Sequence, residues 1–142
     1  MPVAIGSALG RGGPLRVFGT DYPTPDGTAI RDYVHVLDLA DAHIRALDYL
    51  AAGRKPTTLN LGTGRGSSVR EVVEAVERAS GRTIEVVESS RRPGDPAAIW
   101  ADASRAETVL GWKARRGLTD IVDSAVRWHS THPDGYAAAA DA

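Results

Sequence analysis

The chain contains no cysteine and only two lysines among its 142 residues. Without cysteine, disulfides and thiolate metal sites are excluded. No apolar run approaches the ~18 residues that a membrane-spanning helix requires, and the first residues lack the basic region of a signal peptide. The net charge of −1 gives no reason to expect nucleic acid or an acidic membrane as a partner. We therefore expect a cytoplasmic protein.

The length and composition are those of one globular domain. Hydrophobic residues make up 42% of the chain, an ordinary share for a folded protein. A compact chain of this size buries about 70% of the surface that it exposes when unfolded, so a core can form. We predict a domain over residues 1–135 and a flexible tail over residues 136–142.

The hydrophobic pattern predicts an α/β fold with short mixed strands and about four helices. Predicted strands cover residues 15–18, 57–61 and 83–88, with a short β-like run from 30 to 36. Predicted helices begin at three capping residues, Asp38, Ser68 and Asp102, and a last helix presents an apolar stripe from Leu118 to His129. Ser68 and Glu71 form a capping-box pattern, and Gly81 ends the helix that it opens.

Two glycine-rich segments have spacings close to those of nucleotide-binding loops. Residues 6–12 read G-x-x-x-G-x-G, but Gly13-Pro14 and a strand follow instead of the helix that such a loop requires. Residues 62–67 lie between a strand and a helix, yet Ser67 replaces the last glycine of G-x-G-x-x-G. We interpret the first segment as a helix end with a hinge and the second as a tight turn. The four histidines show no metal-ligand pattern.

Arginines beside turns are the better candidates for anion binding. Arg31 lies in the run that leads into the helix capped by Asp38, and Arg92 precedes a Pro-Gly turn that ends in Asp95. A guanidinium can fork onto phosphate oxygens, and a carboxylate can accept hydrogen bonds from two ribose hydroxyls. Two simpler interpretations stay open, an Arg31–Asp32 pair and an Arg92–Asp95 salt bridge across the turn.

The run FGTDYPTPDGTAIRDYVHVLDLADAH, residues 18–43, closely resembles the UDP-glucose 4-epimerases of the extended short-chain dehydrogenase/reductase superfamily. Three later stretches agree with the same family: LNLGTG at 59–64, RRPGD at 91–95 and WAD at 100–102. The resemblance covers nearly the whole chain but only the C-terminal, substrate-binding part of the family's polypeptide, with the Rossmann half missing. In the family, the first predicted helix and the strand at 57–61 pack against that half, so we expect exposed apolar surface here.

The resemblance implies an isomerase that interconverts UDP-glucose and UDP-galactose. In the family, NAD removes hydride from C4 of the sugar and returns it to the other face, and the full-length enzyme can form a homodimer. Arg31 and Arg92 correspond to phosphate-binding arginines, Asp95 to the ribose acceptor and Phe18 to the strand that pairs with uracil. The implied substrate-binding residues are Arg16, Phe18, Arg31, Tyr33, Arg92, Asp95 and Ile99. The intermediate size of Ile99, beside the hexose, implies a preference for glucose and galactose over their N-acetyl forms.

The family's catalytic pair is missing from this sequence. Tyr-x-x-x-Lys supplies the base, since the lysine lowers the tyrosine pKa, and none of the four tyrosines has lysine four residues later. We therefore predict no catalytic, cofactor-binding or metal-binding residue, and an inactive isolated chain. Two alternatives stay open: a stand-alone UDP-sugar-binding module, and a fragment of a related nucleotide-sugar dehydratase or reductase.

Overall fold

Five helices and four short strands form a mixed α/β fold in the computed structural model, which describes residues 1–136. The elements are α1 Pro2–Ala8, β1 Leu15–Phe18, β2 Ile30–Arg31, α2 Val36–Ala51, β3 Ser67–Ser68, α3 Val69–Ser80, β4 Val86–Ser89, α4 Ser104–Leu110 and α5 Leu118–Thr131. The predicted fold class is confirmed, with α1 as a helix beyond the predicted four. Apart from the exposed Tyr136, the predicted tail lies outside the described residues.

The strands pair in two small sheets. β1 and β4 are parallel, with Leu15 opposite Val86 and Phe18 opposite Ser89. β2 is antiparallel to β3, and Ile30 also forms a parallel bridge with Ala98. The predicted β-like run from 30 to 36 is therefore a strand only at its first two residues, because the neighbouring segments pair no further.

The main core lies where α1, α3 and α5 pack around β1. α3 places apolar side chains at helical spacing against α1 and α5, and Val76 and Val122 are completely buried. The buried residues of this cluster are Ala4, Ile5, Ala8, Leu15, Val17, Val72, Val73, Ala75, Val76, Ile84, Val122 and Val126. Burying one such valine contributes about 1.5–3 kcal/mol, so this cluster holds β1 and α3 firmly in place.

The predicted capping box of α3 is confirmed. The Ser68 hydroxyl accepts a hydrogen bond from the Glu71 backbone N–H at 3.0 Å, and the Glu71 carboxylate accepts one from the Ser68 N–H at 2.7 Å. Gly81 ends the helix in the left-handed conformation, with φ 67°. α4 begins one residue later than predicted, with Ala103 at the N-cap position, although the Asp102 carboxylate accepts a hydrogen bond from the Ser104 N–H.

The N-cap of α2 is His35, so the prediction of Asp38 was wrong. The Leu37 N–H donates to His35 Nδ1 at 3.0 Å, while His35 Nε2 lies 3.0 Å from the Ser124 hydroxyl of α5. The imidazole therefore caps one helix and ties it to another. An acid near a helix start is a good local signal for a cap. Here the Asp38 carboxylate instead accepts hydrogen bonds from backbone N–H groups that are distant in the sequence.

Asp38 instead anchors the segment that precedes α5. Its carboxylate accepts hydrogen bonds from the backbone N–H groups of Arg115 and Arg116 at 3.0 Å each, and it pairs with the Arg116 guanidinium. Burial alone would raise the Asp38 pKa, but these hydrogen bonds and the Arg116 charge together hold that pKa below its ordinary value. Trp112 adds a bond from its indole N–H to the Asp38 carbonyl at 2.8 Å.

The opposite side of α2 is exposed and apolar. Within this helix only Asp38 and Ala42 are buried. The exposed apolar side chains, called the α2 face below, are Val36, Leu37, Ile44, Leu47 and Leu50. Within residues 1–136, no helix has both the length and the apolar character to cross a bilayer.

The segment after α2 does not form the predicted strand. Residues 57–61 are mostly exposed and pair with no other strand of the described chain. Their sequence suits a strand, but a strand needs a neighbour to satisfy its backbone groups. The predicted strand at 83–88 begins three residues later, as β4, where β1 provides that neighbour.

Candidate functional site

The candidate site lies at the carboxyl ends of β1 and β4. Because these strands are parallel and Phe18 lies opposite Ser89, the loops that follow both strands begin at the same edge. The Gly19 N–H extends the pairing by donating to the Ser89 carbonyl at 2.8 Å. In α/β sheets, ligands bind outside the carboxyl ends of parallel strands, so this edge is where binding residues are expected.

Arg31 and Asp95 form a salt bridge across this edge. The Ile30 N–H donates to the Ala97 carbonyl at 2.8 Å, and the Ile99 N–H donates to the Ile30 carbonyl at 3.1 Å. This pairing brings Asp95 beside Arg31, with 3.2 Å between Arg31 Nη2 and Asp95 Oδ1. Both simpler interpretations of the sequence, Arg31–Asp32 and Arg92–Asp95, were therefore wrong.

Asp32 organises the glycine turn behind the site instead. Its carboxylate accepts hydrogen bonds from the Thr63 N–H at 3.1 Å, the Thr63 hydroxyl at 2.6 Å and the Ala101 N–H at 3.1 Å. A Cβ atom on Gly62 would lie 2.5 Å from the Asp32 carboxylate, so glycine is required for this close approach. Gly64 has φ 75°, as expected for a tight turn.

Arg92 stacks on Phe18 at the end of β1. The guanidinium carbon lies 3.9 Å from the centroid of the Phe18 ring, a close cation–π contact. The N–H donors of a guanidinium lie in its plane, so stacking by its face leaves them available. The pair therefore offers a flat apolar surface edged with cationic donors.

These side chains line one cleft of about 480 Å³. It contains six of the seven predicted substrate-binding residues: Arg16, Phe18, Arg31, Tyr33, Arg92 and Asp95. Its inner wall is apolar and is formed by Val17 of β1 and by Val69, Val72 and Val73 of α3. Three guanidinium groups and one carboxylate make the cleft cationic, which suits an anionic ligand with an apolar ring.

Tyr33 lines this cleft and is half-buried. Burial raises its pKa above the ordinary value, and the nearby Arg31 charge only partly opposes this effect. A phenol with a raised pKa stays protonated at neutral pH and can donate a hydrogen bond. This chemistry suits a binding role and disfavours a role as base.

Ile99 is not among the residues that line the cleft. Its backbone is hydrogen-bonded to Ile30, and the residue is 53% exposed. Its assignment beside the hexose therefore stays a prediction. Arg91 was not predicted as a site residue, although it lies within the RRPGD stretch and contacts the loop after β1.

A larger neighbouring cleft of about 580 Å³ shares Tyr33 but none of the other six predicted residues. Two of its four arginines are paired, Arg116 with Asp38 and Arg78 with Glu74, and it contains none of the residues that the family motif assigns to the diphosphate or the ribose. We therefore place the candidate site in the smaller cleft. Among the described residues, no group of three or more His, Asp or Glu side chains could hold a metal ion.

The model of a protein family described as GDP-mannose 4,6 dehydratase matches residues 5–125. The chain belongs to this family. Within the family, it is 48% identical over 135 residues to the UDP-glucose 4-epimerase of Rhizobium meliloti (strain 1021), an alignment that covers 95% of this chain and 41% of the relative. The chain thus spans about two fifths of the length of the curated relatives that it matches.

Solved structures of the family give the same result. A UDP-glucose 4-epimerase structure superposes with a TM-score of 0.93 at 41% identity, covering 96% of this chain and 42% of the other. The enzyme from Bifidobacterium longum, solved with NAD+ and UDP, superposes with a TM-score of 0.86 at 43% identity over 95% of this chain and 40% of its own. The resemblance to the C-terminal part of these epimerases is confirmed.

Proposed function

We propose that this chain is the UDP-sugar-binding part of a UDP-glucose 4-epimerase, an isomerase of the cytoplasm. The observation that carries the proposal is the convergence of Arg31, Arg92 and Asp95 on one cleft. Arg31 and Asp95 are 64 positions apart and lie 3.2 Å apart in space. The similarity to named epimerases supports this function over a related dehydratase or reductase.

The cleft offers complementary groups to each part of a nucleoside diphosphate. The diphosphate would lie between Arg31 and Arg92, whose planar forks match phosphate oxygens. Asp95 would accept hydrogen bonds from the ribose hydroxyls, since an ionised carboxylate has acceptors only. The uracil would lie near the end of β1, where Phe18 and the stacked guanidinium form a flat surface.

NAD does not fit the glycine loops of the described residues. After α1, Gly10 and Gly12 lead into β1, so no helix begins at that loop. The turn at residues 62–67 does precede α3, but the Ser68 cap is bonded to the carboxylates of Asp26 and Glu71. Two carboxylates at a helix N-terminus would repel a pyrophosphate. In this proposal, NAD and the base therefore come from the remaining part of the longer family polypeptide.

The α2 face is where that remaining part would pack. A helix with five large exposed apolar side chains is costly in water and typical of an interface. The unpaired segment 57–61 follows the same helix and suits pairing with an added strand. Both features disfavour the alternative of a stand-alone binding module.

The proposal predicts no epimerisation of UDP-galactose by the purified chain, even with NAD added, because hydride carrier and base are missing from it. Co-expression with the N-terminal part of the Rhizobium meliloti relative should produce conversion, measured by coupled detection of UDP-glucose. Leu47→Asp, on the α2 face, should abolish this gain, whereas Asp48→Asn, an exposed polar change on the same helix, should leave it. Conversion by the chain alone would contradict the proposal.

A further inference from the structure

Outside the cleft, the guanidinium of Arg91 connects the loop after β4 to the loop after β1. Arg91 Nε donates to Asp21 Oδ1 at 2.8 Å, and Arg91 Nη2 donates to the Asp21 backbone carbonyl. The same guanidinium lies over the ring of Tyr22, 4.3 Å from the centroid. One side chain from the loop after β4 thus makes three contacts with the loop after β1.

The loop after β1 is a firm support for this contact. The Tyr22 ring is buried, and the Tyr22 N–H donates to the Gly27 carbonyl at 2.9 Å. A Cβ atom on Gly19 would lie 2.5 Å from the Tyr22 ring and 2.7 Å from the Arg91 side chain. Glycine at this position, with φ 82°, leaves the space in which tyrosine and arginine stack.

Apart from Arg91, the loop after β4 is held by contacts of the two cleft residues themselves, Arg92 with Phe18 and Asp95 with Arg31. Residues 90–96 are all exposed. Within this segment, which the structure describes in full, the one backbone hydrogen bond is from the Asp95 N–H to the Arg92 carbonyl. This loop carries two cleft residues, Arg92 directly after Arg91 and Asp95 four positions on. Arg91 does not line the cleft itself.

We infer that Arg91 is a positioning residue: it holds the loop of residues 90–96 so that Arg92 and Asp95 face the ligand before it binds. The inference rests on the proposed UDP-binding function. A loop that is already ordered loses less conformational entropy on binding, and affinity rises accordingly. The contact adds little to global stability, because exposed ion pairs are weak and the Arg91 and Asp21 side chains are 42% and 74% exposed.

The test measures UDP affinity and the order of the loop of residues 90–96 in variants of Arg91 and Asp21. Arg91→Gln and Asp21→Asn should each weaken UDP binding about three- to tenfold in calorimetric titration, and the double variant should lose no more than the stronger single change. Arg91→Lys should retain part of the affinity, since it keeps the charge but loses the fork. Arg82→Gln is the matched control, with an equal change of charge on an exposed arginine outside the cleft.

Hydrogen exchange of the free protein separates positioning from general stability. In the Arg91 and Asp21 variants, exchange should rise at the Asp95 amide, whose N–H is hydrogen-bonded within residues 90–96, and stay unchanged in α3, with a melting temperature like that of Arg82→Gln. Wild-type affinity in both variants would overturn the inference. Failure of the wild-type chain to bind UDP would instead overturn the proposed function, and unchanged exchange in the loop would then still refute the role of Arg91.

Discussion

Replacing Arg31 with alanine should weaken UDP binding by about ten- to hundredfold. Hydrogen bonds to charged groups contribute roughly 1.5–3 kcal/mol, and 1.4 kcal/mol corresponds to a tenfold change in affinity. The Arg31 side chain is only 26% exposed, so water replaces its contacts poorly. Its removal also leaves the Asp95 carboxylate without its salt-bridge partner. The unpaired negative charge of Asp95 then repels the diphosphate. Isothermal titration calorimetry at fixed salt measures the change.

Companion variants test the roles within the cleft. Arg92→Ala should cause a loss of similar size, whereas Arg82→Ala should cause none. Asp95→Asn should weaken UDP binding more than pyrophosphate binding, because the acid is assigned to the ribose. Added salt should weaken UDP binding by wild type, since screening reduces the attraction of the arginines. An Arg31 variant that binds UDP as tightly as Arg82→Ala would remove Arg31 from the site.

Replacing Asp38 with asparagine should lower the free energy of unfolding by about 2–4 kcal/mol. The Asp38 side chain is 3% exposed and accepts hydrogen bonds from two backbone N–H groups and from Arg116. Asparagine keeps one acceptor oxygen but removes the charge and turns an NH2 group toward these donors. Urea unfolding measures the loss, and Asp41→Asn, which breaks a partly exposed pair with Arg45, should cost less than about 1 kcal/mol.

The stabilisation by Asp38 should also depend on pH. Its pKa is lowered in the folded protein, so its contribution is complete above the unfolded value of about 3.9 and is lost as pH falls through the folded value. The stability difference between wild type and Asp38→Asn should therefore be constant near neutral pH and should narrow below about pH 4. A difference that stayed constant through strong acid would show that the Asp38 charge is not its source.

Local signals in the sequence were sufficient for several elements of the fold. The capping box at Ser68 and the stop at Gly81 each depend on neighbours in the chain, and each prediction was confirmed. The strand of residues 15–18 was also confirmed, with β4 as its distant partner. Two predictions were wrong because partners distant in the sequence decide the structure there. The Asp38 carboxylate binds the segment at Arg115 rather than capping its own helix, and residues 57–61 lack a neighbouring strand.

In the candidate site, the residues could be predicted from the sequence but their pairing could not. The family motif indicated six residues that the structure places in one cleft, but their pairing could not be predicted from spacing. Arg31 pairs with Asp95, and not with the adjacent Asp32, because the bridge at Ala98 brings the second loop back beside β2. The contact of Arg91 with Asp21 likewise depends on the parallel register of β1 and β4.

Titration of the isotope-labelled chain with UDP, followed by amide chemical shifts, tests the central claim most directly. The account predicts saturable shifts at Phe18, Arg31, Arg92 and Asp95, and none along the α2 face. The absence of shifts up to millimolar UDP, or shifts confined to the larger cleft around Arg65 and Arg115, would contradict it.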